Sequence, residues 1–100
     1  MSSDPLLQPY RLKHLALRNR MMSTAHEPAY TDDGLPKERY RLYHSEKAKG
    51  GMALTMIGGS SVIDLDSPQS FGQIQLHKDE CVRWLGELAD DVHSHGAAVM

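Results

Sequence analysis

Residues 20–26, Arg20-Met21-Met22-Ser23-Thr24-Ala25-His26, and residues 52–59, Met52-Ala53-Leu54-Thr55-Met56-Ile57-Gly58-Gly59, decide how the chain is read. Each is a short apolar run that stops abruptly at small or polar residues. A run apolar at nearly every position, bounded by glycines, suits a strand covered on both faces. Buried parallel strands end in this way where a ligand sits at their C-terminal tips. The pattern therefore predicts strands near 20–24 and 52–57, with both tips at one shared edge.

The stretches around them supply the connections. Residues 25–35 form a loop punctuated by Pro28 and Asp33-Gly34. A loop of that length between strand and helix is often functional. Pro36 suits the first position of a helix that carries Tyr40, Tyr43 and Lys47 on one face, with Leu42 and Ala48 nearby. Gly50-Gly51 stops it. Residues 58–76 are a long excursion in which Val62, Ile63 and Leu65 are expected to pack locally and Ser67-Pro68 to turn. A second, amphipathic helix follows over about Lys78–Ser94. Its expected stripe is Val82, Leu85, Leu88, Ala89 and Val92, with Asp79 and Glu80 in the first turn and Gly96 beyond the end.

Residues 97–100 open a third strand. The order is thus βαβαβ, which demands right-handed crossovers and a parallel sheet. A Rossmann-type sheet and the N-terminal portion of a (βα)8 TIM barrel both satisfy it. Ahead of this unit, Leu12, Leu15 and Leu17 suit a short hairpin or extended cover under a barrel floor, and Asn19 suits a turn. A strand that opens at residue 97 needs partners for its backbone groups. The expectation is therefore that residues 1–100 form the N-terminal part of one larger domain. In isolation, three parallel strands would expose apolar barrel surface and associate.

Composition narrows the function classes. A net charge of -2 gives no argument for nucleic acid or an acidic membrane surface. No apolar run approaches membrane-spanning length. The single Cys81 excludes an internal disulfide, which fits a reducing, cytoplasmic setting. The N-terminus lacks the basic and apolar regions of a secretory signal.

Individual clusters are ambiguous when taken alone. Ser23-Thr24-Ala25-His26 reads first as a strand end with hydroxyls capping the loop, although its small residues also admit a flat ring. Gly58-Gly59-Ser60-Ser61 permits close approach of a ligand, yet it lacks the G-x-G-x-x-G pattern and reads first as a turn. Six histidines invite a metal reading, but His93 and His95 are spaced to point to different faces of a helix end. His14, His44 and His77 fall on surface-like positions. No metal site is expected, whereas His26 at a strand tip suits a ligand contact. Arg18 and Arg20, at the opposite end of the first strand, suit a salt bridge across a barrel floor. Cys81 suits a packed thiol and Trp84 a packing contact.

The composite is more specific than its parts. Leu12-x-x-Leu15-x-Leu17-Arg18-Asn19-Arg20 precedes Ser23-Thr24-Ala25-His26. Asp33-Gly34 follows, then Arg39-Tyr40-x-x-Tyr43-x-x-Glu46-Lys47-Ala48-Lys49-Gly50-Gly51, Gly58-Gly59-Ser60-Ser61 and His95-Gly96. Together these resemble the N-terminus of the Old Yellow Enzyme-like NADH:flavin oxidoreductases. The nearest branch contains 2,4-dienoyl-CoA reductase, trimethylamine dehydrogenase and the demethylases of dimethylglycine and N-methylproline. The Ser23-Thr24-Ala25-His26 element and the run from Gly58 to Val62 with Asp66-Ser67-Pro68-Gln69 are most similar to the demethylases.

That resemblance implies a (βα)8 barrel holding FMN at its C-terminal mouth. It assigns Ser23, Thr24, Ala25, His26 and Gly59 to the cofactor site. It also implies a non-covalent flavin, because Glu27 stands where trimethylamine dehydrogenase has its flavin-linking cysteine. Many simpler members carry proline at the position of Ala25. The implied reaction is oxidative N-demethylation by hydride transfer to flavin N5, with the imine hydrolysing to amine and formaldehyde. The alternatives are NAD(P)H-dependent reduction of an activated C=C bond, of the enoate or 2,4-dienoyl-CoA reductase type, or a non-catalytic fragment or interaction module. Partners would be small amines or enoyl compounds, with homo-oligomers compatible. The catalytic residues, a [4Fe-4S] centre and an FAD or NAD(P) domain would lie in segments beyond residue 100.

Overall fold

The computed structural model describes residues 3–59, 61–67 and 71–100. The positions of Ser60, Pro68 and Gln69, which the resemblance used, lie outside the described residues. A short 3-10 turn, Pro5–Leu7, leads into β1 (Tyr10–Leu12) and β2 (Leu15–Leu17). These two strands pair antiparallel as the expected hairpin, with Arg11 opposite Ala16. Lys13 takes φ 54° in its tight turn.

The main unit is β3 (Met22–Ser23), α1 (Glu38–Lys49), β4 (Leu54–Thr55), α2 (Glu80–Ser94) and β5 (Ala98–Val99). Its sheet has the order β3-β4-β5, all parallel. The regular ladder is two residues deep per strand, shorter than the sequence predicts. Flanking bonds extend the pairing: Ala53 N–H to Met21 C=O (3.0 Å), Met56 N–H to Ser23 C=O (3.1 Å) and Ile57 N–H to Met100 C=O (2.7 Å).

Strand alternation separates two layers. Ser23, Thr55 and Val99 share a register and turn toward the helices. Met22 and Leu54 turn the other way. With Tyr10, Leu12, Leu17, Arg20 and Met21 they line an apolar cavity of about 320 Å³ above the hairpin. The helix layer holds the core, in which Leu35, Tyr40, Ala48, Ile74, Cys81, Leu88, Val92 and Ala97 are buried together.

Helix α1 starts at Glu38, two residues later than Pro36 suggests, with Lys37 as its cap residue. It buries Tyr40, His44 and Ala48 at four-residue spacing. His44 is thus a core residue and not the surface histidine expected. In α2 the buried stripe is Cys81, Leu88 and Val92, with Trp84 and Leu85 packed beside it. Val82, expected in that stripe, is 78% exposed. At about 100° per residue it falls roughly a quarter-turn from the stripe's centre, which passes through Cys81 instead. Ile63 and Leu65 are likewise exposed, and only Val62 of that trio packs inward, bonding through its backbone to Ile74 and Leu76.

The expected salt bridge at the barrel floor is replaced by a different device. The Arg18 guanidinium donates to the carbonyls of His95 (2.5 Å), Ala48 (2.5 Å) and Met52 (2.8 Å). Both helices end there, so one cation faces the negative ends of two helices and satisfies carbonyls that lack intrahelical partners. Asn19 sits in the bend, buried, donating to Gly51 C=O at 2.7 Å and accepting from Met21 N–H at 3.0 Å. Arg20 stacks on Tyr10.

Candidate functional site

The C-terminal tips of β3 and β4 carry the residues the sequence singles out. Thr24, Ala25 and His26 are exposed just beyond β3, and Gly59 is exposed beyond β4. A Cβ added at Gly59 would meet nothing within 4 Å, so the surface above it is open. Gly58, one residue earlier, is closed in: a Cβ there would lie 2.6 Å from Glu27 Oε2 and 2.7 Å from Glu27 Cα. Only glycine lets the two tips come together at this point.

Ser23 differs from its neighbours. Strand alternation turns its hydroxyl toward α1, where it accepts from Lys47 Nζ at 2.7 Å. Lys47 also donates to Tyr43 Oη at 3.1 Å and sits 4.2 Å from the Tyr43 ring centre. Tyr43 Oη is 2.9 Å from His26 Nδ1. The 43/47 pair, one helical turn apart, thereby ties α1 to both ends of the first tip. Tyr30 meets Tyr43 edge-on, and Arg39 stacks 3.8 Å over Tyr30.

Behind the tips lies a buried polar group of residues. His44 Nδ1 is 2.6 Å from Thr55 Oγ1. Burial, with the nearby Lys47 charge, lowers the His44 pKa to about 4, so the ring is neutral at pH 7. The Gly58 N–H donates to Tyr40 Oη at 3.3 Å. Burial and the Glu27 carboxylate push the Tyr40 phenol well above its ordinary value. Glu27 accepts from Ala29 N–H through Oε1, while its Oε2 is buried and lacks a hydrogen bond of good geometry. Sequence reasoning missed Lys47, Tyr43 and Tyr40 as parts of the site. Their shared helical face was legible, but its register against the strand tips was not.

A larger cleft of about 690 Å³ lies elsewhere, lined in part by Tyr30, Lys37, Arg39 and Trp84, and includes none of the strand-tip residues. Among the described residues no three His, Cys, Asp or Glu side chains converge to hold a metal ion. No helix among them is long and apolar enough to cross a membrane.

At the tips Thr24 and Ala25 are small and exposed, and the surface above Gly59 is open.

Comparison with known proteins gives the family and the fold. The sequence profile of the NADH:flavin oxidoreductase / NADH oxidase family matches residues 5–100. A probable N-methylproline demethylase from Rhizobium meliloti (strain 1021) is 56% identical over 100 residues, covering 100% of this chain and 15% of the relative. A multifunctional alkene reductase/demethylase from Caballeronia cordobensis is 59% identical over 99 residues, covering 99% of this chain and again 15% of the relative. Among solved structures, a 2-naphthoyl-CoA reductase complex superposes with a TM-score of 0.82 at 26% identity, over 95% of this chain and 14% of that one. Morphinone reductase superposes with a TM-score of 0.84 at 19% identity, over 98% of this chain and 25% of that one. The fold is accordingly the N-terminal portion of a (βα)8 barrel.

Proposed function

Because this chain belongs to the NADH:flavin oxidoreductase / NADH oxidase family, we propose that the whole protein is an FMN-dependent oxidoreductase that removes N-methyl groups from a methylated amino acid or amine. The observation that carries this reading is the 56% identity to a probable N-methylproline demethylase across the full chain. When bound, FMN supplies the hydride acceptor; the protein supplies orientation and electrostatics. The overall change is oxidation of an N-methyl amine and release of the amine and formaldehyde.

In this reading Thr24 and Ala25 lie along the flavin ring, and Gly59 allows close approach at the neighbouring tip. His26 faces the edge of flavin or substrate. Ser23 contributes through its backbone and holds Lys47. The cofactor is non-covalent, since Glu27 offers no thiol. A [4Fe-4S] centre and an FAD or NAD(P) domain belong to segments outside this chain. The single, buried Cys81 suits a cytoplasmic setting.

A second reading runs the cofactor in the other direction, reducing an activated C=C bond. It is favoured by the relative named for both activities. One anaerobic experiment on the full natural protein separates them. Bleaching of the flavin bands by N-methylproline supports demethylation. Reoxidation of NADH-reduced protein by an enone, without bleaching by any N-methyl amine, supports the reductase. Protein that takes up no FMN on reconstitution overturns both.

A further inference from the structure

The contacts of Lys47 and Tyr43 have a consequence for His26. An ammonium group only donates hydrogen bonds, and a phenol has one proton to give. Lys47 Nζ donates to Tyr43 Oη at 3.1 Å. The Tyr43 proton is then free to be given to its other neighbour, His26 Nδ1, at 2.9 Å. With Nδ1 as the acceptor, the proton of a neutral His26 resides on Nε2. The ammonium is itself fixed from two sides, by Ser23 Oγ on β3 and by the face of the Tyr43 ring. The His26 ring lies at 30° to the Tyr43 ring, with centroids 6.2 Å apart. His26 is exposed, and its Nε2 makes no hydrogen bond among the described residues.

We propose that Lys47 and Tyr43 are positioning residues that hold His26 as the Nε2–H tautomer, presenting one hydrogen-bond donor at the barrel mouth to an acceptor oxygen on a bound ligand. This deepens the reading given under Proposed function and rests on it for the identity of the ligands. The shared chemistry is a carbonyl or carboxylate oxygen, carried either by the flavin ring or by the substrate's carboxylate. The relay reaches the tip from behind, through α1. It therefore shapes the donor without occupying the space a ligand needs.

The test uses the full natural protein, 15N-labelled at histidine, and its variants. Long-range 15N–1H correlations, assigned by His26→Gln, report the His26 tautomer directly and need no flavin. The expected result is Nε2–H, changing to a mixture of tautomers in Tyr43→Phe and in Lys47→Met. Two binding readouts locate the acceptor: the Kd of the apoprotein for FMN, and the ratio of kcat/KM for N-methylproline to that for N-methylpyrrolidine, which lacks the carboxylate. His26→Gln places an amide N–H where Nε2–H stood and should stay within about 3-fold of wild type. His26→Ala and His26→Asn should lose roughly 10-fold or more in one readout, the usual scale for a hydrogen bond to a charged or strongly polar group. A loss in FMN affinity assigns the acceptor to flavin; a loss in the substrate ratio assigns it to the carboxylate. An Nδ1–H signal in the wild type overturns the proposal. So does a Gln variant no better than Ala, or no change in either readout on His26→Ala. Wild-type protein that binds no flavin refutes the functional reading instead, and the tautomer measurement still decides the relay.

Discussion

Replacing Arg18 with methionine should loosen two helix ends at once. The side chain keeps similar length and loses five N–H donors. Three carbonyls then lose the guanidinium, at His95, Ala48 and Met52, although that of Ala48 keeps its bond from Gly51 N–H at 3.1 Å. They are not equivalent. The bond to Ala48 is partly buried, so its loss is worth about 1.5–3 kcal/mol, the range for hydrogen bonds to a charged group. The other two are exposed, and water takes over much of their role. Loss of the charge at the two helix ends adds about 0.3–1 kcal/mol each. The sum is roughly 2–5 kcal/mol.

At about 1.36 kcal/mol per tenfold, amide exchange over residues 47–53 and 93–98 should accelerate roughly 30-fold or more, up to the limit set by global unfolding. Hydrogen-exchange mass spectrometry of the full protein at constant pH reads both segments. Arg18→Lys should recover less than half of the loss, because one ammonium cannot span three carbonyls. Gly96, whose added Cβ would lie 3.0 Å from Arg18 Nη1, shows how closely the guanidinium is seated. Exchange within 3-fold of wild type at both helix ends would refute the argument, as would loosening confined to the β1–β2 hairpin.

Other perturbations have equally definite outcomes. Gly58→Ala forces a Cβ against Glu27 Cα and should destabilise the strand tips by about 1–3 kcal/mol, read as weaker FMN retention and a lower unfolding midpoint; Gly59→Ala, in open space, should leave the midpoint unchanged. His44 has its pKa lowered to about 4 by burial, so the unfolded chain binds the extra proton first and stability falls as pH drops from about 6.5 to about 4, by on the order of 3 kcal/mol in all. Urea midpoints at pH 7 and pH 5 should therefore differ in wild type and differ less in His44→Gln. Cys81 is 3% exposed and burial raises its thiol pKa, so a maleimide probe should label it only on unfolding; prompt labelling of native protein would contradict the packing of α2. Arg41→Met removes the 2.5 Å contact to Asp91 that joins α1 to α2, and should cost about 1–2 kcal/mol in thermal stability.

The sequence by itself determined the order of elements, because that order is written in local terms. Apolar runs ending at Ser23 and Gly58 mark buried strands, Gly50-Gly51 and Gly96 mark helix ends, and the βαβαβ order with right-handed crossovers leaves a parallel sheet. The strand-tip candidates Ser23, Thr24, Ala25, His26 and Gly59 came from the family resemblance, because their local pattern alone reads equally as a capped strand end and a turn. What only the tertiary structure decided is which long side chains meet. His44 looks like a surface residue until α1 is rotated to bury Tyr40, His44 and Ala48. Arg18 looks like an ion-pair partner until two helix ends converge on it from residues 30 and 77 positions away. The contact between Lys47 and Ser23 joins residues 24 apart, through the rotation of α1 over β3. Periodicity gives the apolar face of a helix. The register of that face against a strand is set by close packing among residues far apart in the chain, and no local pattern encodes it.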